Sequence, residues 1–388
     1  MCAITPVNLD YAASTPLRES AKAAQRAYDA SDLAGVNPNS LHSLGRRAQA
    51  ELERCRRVIA ASFGARVRAS EVVFTGGGTE ANHLAVHGLA QAARQRDPKR
   101  TRVLVSAIEH DSVLDNALSL KSQGFTVQTL LPNRQGVVEP ATLQAALGDD
   151  VALVSVMLAN NETGVVQPIA ELAGLAHRAG ARMHTDAVQG WLHIPFDVAA
   201  LGVDALSVAG HKIGGPVGVG ALYLKGRVPL RAQIVGGGQE RGLRAGTQDL
   251  RTIAGFAAAV QELAPRVAQD RDRLASLSKS LYSKLTALPD VFPTMGDPAK
   301  VDRLPGIVSV YVDGMDSEEL ILQLDVAGFE VSAASACSSG SMDPSHVLSA
   351  MGVPRSSALG SLRISFDDRV DPADLDRFAD AFKTIARG

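Results

Sequence analysis

Short apolar runs alternate with longer amphipathic segments between residues 71 and 224. The run at 151–158 is apolar at nearly every position, which is typical of a strand buried on both faces. Strands that alternate with helices favour an α/β fold in which helices cover a mainly parallel sheet. The predicted strands are 71–75, 102–106, 151–158, 182–186, 205–208 and 218–224, and the predicted helices between them include 79–94, 112–123 and 169–179.

The pattern changes after about residue 262 and predicts a second unit. A long helical stretch is followed by shorter strands and helices, which is typical of a smaller α+β domain. We therefore predict a large domain over 18–262 and a small domain formed by 1–17 and 263–388. The predicted helices of the small domain are 271–288, 317–327 and 371–385, and its predicted strands are 307–313, 330–333 and 362–366.

Composition excludes several classes of function. The chain has 388 residues and a formal net charge of −2, without a long run of like charge, so we expect no direct contact with nucleic acid. We also expect no membrane contact, because no apolar stretch is long enough to span a bilayer. The first ten residues lack the pattern of a signal peptide. Three cysteines without framework spacing indicate a reducing compartment, and we expect the cytoplasm.

Three polar groups follow predicted strands and could meet at one edge of the sheet. Lys212 lies in the segment Ser-Val-Ala-Gly-His-Lys-Ile-Gly-Gly-Pro (207–216), where a lysine can form a Schiff base with an aldehyde cofactor. Asp186 ends another strand, and Thr-Gly-Gly-Gly-Thr (75–79) could bind a phosphate at the start of a helix. Read singly, these are also a solvated lysine, a helix-capping aspartate and a glycine turn without a ligand. In combination they describe a site for pyridoxal 5′-phosphate (PLP).

Five further segments make the sequence resemble a known family. They are Leu-Asp-Tyr-Ala-Ala-Ser-Thr-Pro (9–16), Asn-Pro-Asn-Ser-Leu-His (37–42), Glu-His (109–110), Asn-Asn-Glu-Thr-Gly (160–164) and Gly-Gly-Gly-Gln-Glu-Arg-Gly-Leu-Arg-Ala-Gly-Thr (236–247). Together with the three groups above, they resemble the cysteine desulfurases of the NifS/IscS type, which are PLP-dependent enzymes of the class V aminotransferase superfamily. The resemblance implies fold type I: a large domain with a mainly parallel seven-stranded sheet and a smaller α+β domain.

The resemblance also implies roles around the cofactor. Lys212 would bind PLP covalently, Asp186 would pair with the ring nitrogen, and Gln189 would bind the phenolic oxygen. His110 would stack on the ring and transfer protons. The phosphate would be bound by Gly78, Thr79 and His211, and by Thr247 from the neighbouring subunit of a homodimer. Ala209 stands where many relatives have a serine that contacts the phosphate.

Substrate binding and sulfur transfer complete the implied site. Asn161 and Arg363 would hold the carboxylate of L-cysteine, since an arginine fork suits a carboxylate. Cys337 lies among small residues (330–341), where the alternative is an inert buried thiol. The resemblance implies that Cys337 takes the substrate sulfur as a persulfide, releases L-alanine and serves a sulfur-acceptor protein. Such acceptors belong to iron–sulfur cluster assembly or to tRNA or DNA thio-modification.

Rival functions differ in their need for a thiol. A selenocysteine lyase, or another class V aminotransferase or lyase, shares the cofactor site, and a transaminase has no use for Cys337. A catalytically silent scaffolding partner would need none of Lys212, Asp186 and Arg363. His83 and His87 are four residues apart, but the zinc motif H-E-x-x-H is absent, so we expect no metal site.

Overall fold

The computed structural model of the protein describes residues 6–333 and 343–386. The strands within these residues are β1 (Val7–Asn8), β2 (Val72–Thr75), β3 (Arg102–Ser106), β4 (Thr126–Leu130), β5 (Val151–Ser155), β6 (Arg182–Asp186), β7 (Ala205–Ala209), β8 (Gly220–Leu224), β9 (Val291–Pro293), β10 (Ile307–Val312), β11 (Phe329–Glu330) and β12 (Ser361–Ser365). The helices are α1 (Glu19–Asp29), α2 (Ser43–Phe63), α3 (Gly78–Arg96), α4 (Asp111–Ser119), α5 (Pro140–Ala146), α6 (Ile169–Arg178), α7 (Val198–Leu201), α8 (Leu250–Leu263), α9 (Val267–Leu285), α10 (Ser317–Val326), α11 (His346–Ala350), α12 (Arg355–Ala358) and α13 (Pro372–Ile385).

Seven strands form the central sheet in the order β2-β8-β7-β6-β5-β3-β4. Strand β8 runs antiparallel to both of its neighbours, and the other pairs are parallel. The predicted mainly parallel seven-stranded sheet is therefore confirmed. Its central strands β5 and β7 are buried along their whole length, because helices cover both faces of the sheet.

The two faces of the sheet pack into separate apolar clusters. Along β2, Val72 and Phe74 join the cluster that contains α2 and α8, whereas Val73 joins the cluster that contains α3 and α4. This alternation follows from the two-residue period of a strand. Successive side chains of one strand therefore hold helices on opposite faces, and the large unit has three layers.

Differences from the predicted elements have local causes. Strand β4 was not predicted, because the edge strand Thr126–Leu130 is largely exposed and lacks a continuous apolar run. Strand β5 ends at Ser155 rather than at residue 158. The backbone N–H groups of Val156 and Leu158 still donate to carbonyls of β6, but that of Met157 donates to the Glu109 carboxylate at 2.6 Å. The strand predicted at 330–333 is observed as the shorter strand β11 (Phe329–Glu330), which begins one residue earlier.

The C-terminal residues form a further apolar cluster with their own small sheets. Strands β12, β10 and β9 form an antiparallel three-stranded sheet. The N-terminal strand β1 pairs with β11, and Leu9 belongs to the cluster that contains Phe378 and Phe382. The division into 18–262 and 1–17 with 263–388 stays a prediction. Within the described part of the chain, none of the helices combines the length and the apolar character needed to cross a bilayer.

Candidate active site

A cavity of about 350 Å³ opens at the carboxyl ends of the parallel strands. Loops after parallel strands meet at this edge, which is where α/β proteins bind ligands. Strands β3, β6 and β7 deliver His110, Asp186 and Lys212, and the C-terminal strand β12 adds Arg363. The cavity brings together the following predicted site residues: Gly78, Thr79, His110, Asn161, Asp186, Gln189, His211, Lys212 and Arg363.

Lys212 lies in a tight turn directly after β7. A short 3₁₀ helix, Gly210–Ile213, ends at Gly214, whose φ of 73° is in the left-handed region that glycine tolerates. The Lys212 Nζ donates hydrogen bonds to the carbonyl oxygens of Ala12 and Ala13, at 2.6 and 2.8 Å. Two carbonyl groups thus orient the lysine amine inside the cavity.

The neighbouring His211 is neutral at pH 7. Burial, followed by the charges of the nearby Lys212 and His110, lowers the pKa of His211 to about 4.

Asp186 is a buried carboxyl at the end of β6, only 4% exposed. One oxygen accepts from the Val188 backbone N–H at 2.9 Å, and the other accepts from Asn82 Nδ2 at 2.6 Å. Burial raises the pKa of Asp186, and these two hydrogen bonds oppose the rise. A buried carboxylate in such surroundings is stabilised by a cationic partner inside the cavity.

Asn82 is a site residue that the sequence analysis missed. It lies on α3 three positions after Thr79, so both side chains occupy one face of the helix. Its Nδ2 also donates to Ser112 Oγ at 2.9 Å, and it therefore joins Asp186 to the helix that follows His110. The spacing of three from a predicted phosphate ligand was the available signal.

His110 is the N-cap of α4. Its Nδ1 accepts from the Ser112 backbone N–H at 3.0 Å and lies 2.9 Å from Ser112 Oγ. Because Nδ1 is an acceptor here, the neutral imidazole carries its proton on Nε2. The capping contact therefore sets both the tautomer and the orientation of the ring.

The glycine turn leads into the N-terminus of α3 at the cavity wall. Gly77 has a φ of 152°, and no described side chain caps the helix start. A Cβ at Gly78 would lie 2.9 Å from Val188 Cγ2 and 3.3 Å from Ala209 Cβ. The first backbone amides of α3 and the positive end of its dipole therefore lie at a place that suits an anion.

Arg363 is buried on β12, 2% exposed, and has donors on two sides. Its Nη2 binds Asp10 Oδ1 at 2.7 Å, and its Nη1 donates to the backbone carbonyl of Asn161 at 3.1 Å. The Nε atom is buried and has no hydrogen-bond partner among residues 6–333 and 343–386. An arginine held in this way has a donor left for a carboxylate ligand.

Two buried acids lie behind the cavity, and the sequence analysis assigned them no role. Burial, followed by the charge of Asp186, raises the pKa of Glu109 well above its ordinary value. Burial raises the pKa of Glu162 to about 7, although Ser345 hydrogen-bonds to it. Burial therefore favours the protonated form of both acids, and Glu162 exchanges its proton near neutral pH.

Thr247 does not line this cavity. Thr247 lines a separate space of about 80 Å³ together with Arg244. Its loop contains Glu240 and Arg241 at φ of 49° and 58°, a strained conformation for residues other than glycine. The carboxylate of Glu240 holds this loop by a buried ion pair with Arg56. The predicted nucleophile Cys337 lies outside the described residues.

Comparison with known proteins places this site in a family. The aminotransferase class-V family matches residues 7–378. The chain belongs to this family. The IscS-like cysteine desulfurase of Mycobacterium tuberculosis is 42% identical to the chain over 372 residues, which cover 95% of the chain and 93% of that relative. The cysteine desulfurase IscS of Dictyoglomus turgidum is 38% identical over 380 residues, with coverage of 98% and 94%.

Solved structures agree with these class-V relatives. The structure of a NifS-like protein superposes with a TM-score of 0.88 at 32% sequence identity, and the match covers 98% of this chain and 99% of that one. The predicted resemblance to cysteine desulfurases of the NifS/IscS type is confirmed by these relatives, and so is the predicted fold class.

Proposed function

We propose that the chain is a PLP-dependent cysteine desulfurase that converts L-cysteine to L-alanine and carries the sulfur as a persulfide on Cys337. The observation that supports this most is the meeting of Lys212, Asp186 and Arg363 in one cavity. An amine, a buried carboxylate and a guanidinium are the groups needed for an aldehyde cofactor, its ring nitrogen and an amino-acid carboxylate. The similarity to IscS-type desulfurases supports cysteine as the amino acid.

The residues of the cavity fit PLP. Lys212 would hold it covalently, Asp186 would pair with the ring nitrogen, and Gln189 would bind the phenolic oxygen. The phosphate would lie at the N-terminus of α3, near Thr79 and His211, where the lack of a Cβ at Gly78 lets the backbone pack closely against Val188. When bound, the cofactor supplies an electron sink for the charge left on the substrate as the Cα proton is removed.

Arg363 and Asn161 would bind the substrate through its carboxylate. Each Nη atom of Arg363 carries a second N–H that can donate to this carboxylate, and Asp10 fixes one side of the guanidinium at 2.7 Å. A guanidinium held on one side loses little conformational freedom on binding a carboxylate on the other. This contact would orient the Cα–H bond of the substrate toward Lys212.

Proton transfer would use the amine of Lys212 and the ring of His110. The Nζ of Lys212 would take the Cα proton and return it to the product. The neutral His110 ring would present its Nε2–H as the proton donor, because the Ser112 contact occupies Nδ1.

Cys337 would carry out the sulfur transfer. Its thiolate attacks the substrate sulfur, so that a new S–S bond forms and the S–Cβ bond breaks. The electron pair of the broken bond stays on the carbon skeleton, which takes up a proton and leaves as L-alanine. The persulfide then passes to an acceptor protein.

Three cysteines in 388 residues support a reducing compartment, the cytoplasm, for this chemistry.

We also infer a homodimer in which Thr247 completes the phosphate site of the partner subunit. Thr247 shares its small space with Gly218. Exposed apolar side chains lie on the adjoining segments: Val217 is 76% exposed, and Val235 is 82% exposed and follows a residue that pairs with Arg244. Apolar surface of this kind supports burial against a second copy.

A single substitution tests the sulfur step. Cys337→Ser keeps the visible absorbance of the bound cofactor, since the cofactor is held elsewhere, and forms neither alanine nor sulfide from L-cysteine. Cys55→Ala is the matched control, because Cys55 is fully buried and burial raises the pKa of its thiol to about 12. The control retains turnover. Wild-type alanine formation in Cys337→Ser would refute the assignment, and turnover of selenocysteine alone would favour a selenocysteine lyase.

A further inference from the structure

Residues 12–18, which we name the N-terminal strap, wrap around the turn that carries Lys212. The Thr15 hydroxyl donates to the Lys212 carbonyl at 2.8 Å, and the Thr15 backbone N–H donates to the His211 carbonyl at 3.0 Å. The backbone N–H of Arg18 donates to the Gly214 carbonyl at 2.8 Å. The strap therefore contacts the backbone of the turn at successive positions.

The guanidinium of Arg18 connects this turn to a cluster of acids. Its Nε donates to the Ile213 carbonyl at 3.1 Å, and its Nη1 donates to Glu262 at 2.7 Å and to Asp368 at 3.3 Å. Its Nη2 donates to Asp367 at 3.2 Å and also to Asp368. An arginine has five N–H donors, and all five are used here. The side chain is 2% exposed and is held in one orientation.

Two of the three acids follow the strand that holds the substrate end of the site. Asp367 and Asp368 follow β12, the strand that contains Arg363, and Glu262 lies on α8. Burial is the largest single influence and would raise the pKa of Asp368, but the hydrogen bond and charge of Arg18, together with the charges of Arg266 and Arg369, lower the pKa overall. Asp368 is therefore ionised, and Arg18 lies between the Lys212 turn and the end of the Arg363 strand.

We propose that Arg18 is a positioning residue that sets the Lys212 turn at a fixed distance from the strand of Arg363. The proposal rests on the proposed function, because Lys212 and Arg363 act there on the cofactor and on the substrate carboxylate. A displacement of about 1 Å between two such groups can cost on the order of a hundredfold in rate. Arg18 makes its contacts outside the predicted catalytic set and acts through the backbone of Ile213.

Lysine is the informative replacement. Arg18→Lys keeps the positive charge among the three carboxylates, so we expect the protein to fold. A lysine has three donors around a single nitrogen and cannot span Ile213, Asp367 and Asp368 as the planar fork does. Arg266→Lys is the matched control, because Arg266 binds the same Asp368 at 3.3 Å but is 45% exposed in its side chain.

The experiment compares Arg18→Lys, Arg266→Lys and the wild type. We measure the unfolding midpoint, the affinity of the apo-protein for PLP, the pH midpoint of the visible cofactor band, and the rate at which saturating L-cysteine changes that band. Arg18→Lys weakens PLP binding by about tenfold, shifts the band midpoint and slows the L-cysteine response by about tenfold or more. Arg266→Lys stays within about twofold of the wild type in each of these measurements.

The outcomes separate a positioning role of Arg18 from a purely structural one. Arg18→Lys with wild-type affinity, band midpoint and response overturns the role, and so does a defect confined to the unfolding midpoint. If Arg18→Lys does not fold, Asp368→Asn decides, since it loosens the Arg18 fork without altering Ile213. It then shows the same changes at smaller size, and their absence overturns the role. A wild-type protein that binds no PLP overturns the proposed function, and the role of Arg18 with it.

Discussion

Single residues of the site differ in how they are stabilised, and the difference decides their chemistry. Asp186 and Glu162 are both buried, but only Asp186 accepts hydrogen bonds from two amide groups. Glu162 has Ser345 as a hydrogen-bond partner, and its pKa rises to about 7. Burial outweighs the attraction of Arg363 and His110, and Asp111 adds to the rise. Two carboxyl groups with similar burial therefore have different roles.

Glu162 predicts a pH dependence of stability. Its pKa is higher in the folded state than the ordinary 4.5, so the folded protein holds this proton more tightly. The stabilisation is complete below about pH 4 and is lost as the pH rises through about 7. Between pH 5 and 8 the free energy of unfolding of the wild type falls relative to Glu162→Gln by on the order of 3 kcal/mol. Chemical denaturation of both proteins across this range checks the prediction, and parallel curves would contradict it.

Most residues of the site lie at the ends of strands and helices. The parallel strands β3, β6 and β7 could be predicted from apolar runs, and their carboxyl ends bring His110, Asp186 and Lys212 together. The N-terminus of α3 was predicted from glycines alone. Strand β4 could not be predicted, because an exposed edge strand carries no apolar signal. The burial of an element, more than its role, decides whether its sequence predicts it.

The start of α3 predicts the effect of a single methyl group. In Gly78→Ala the new Cβ would lie 2.9 Å from Val188 Cγ2, so either the Val188 side chain or the start of α3 must shift at the cavity wall. We expect PLP affinity to fall by about tenfold, which is about 1.4 kcal/mol. Equilibrium binding of PLP to the apo-protein measures it.

The control for this prediction is a helical glycine with open space. In Gly174→Ala on α6, the nearest atom to the new Cβ is Arg178 Nη1 at 3.5 Å. This change leaves PLP affinity unaltered and raises the free energy of unfolding by about 0.5–1 kcal/mol, because alanine loses less backbone entropy than glycine. Equal affinity in Gly78→Ala and Gly174→Ala would rule out a phosphate at the start of α3.

At the scale of the whole molecule, groups far apart in sequence complete each part of the site. Glu240 lies 184 positions from Arg56, and the strained loop that it holds contains Thr247. Arg363 reaches the cavity from β12, and the N-terminal strap joins its strand to the Lys212 turn. The proposed dimer extends the same principle to a second chain.

Mixed dimers predict which subunit Thr247 serves. One subunit carries Lys212→Ala, so only its wild-type partner has a complete lysine site. Adding Thr247→Val to the Lys212→Ala subunit weakens PLP binding at the partner site by about tenfold, because a hydrogen bond to a charged phosphate is lost. When Thr247→Val is instead placed on the subunit that keeps Lys212, the PLP site of that subunit stays near the wild-type affinity. The opposite pattern would show that Thr247 acts within its own chain.

The amino-acid pattern was enough to identify the chemical groups of the site and the strand ends that carry them. Lys212, Asp186 and the glycine turn could be predicted because a parallel sheet brings the carboxyl ends of its strands to one edge. Three further features are visible only in the folded chain: Asn82 binds Asp186, Glu162 is a buried proton-holding acid, and Arg18 spans Ile213 and the acids after β12. Most of these contacts join residues far apart in the chain, and hydrophobic periodicity describes only the faces of single elements. Which distant residue an element contacts is decided by how the elements pack against one another.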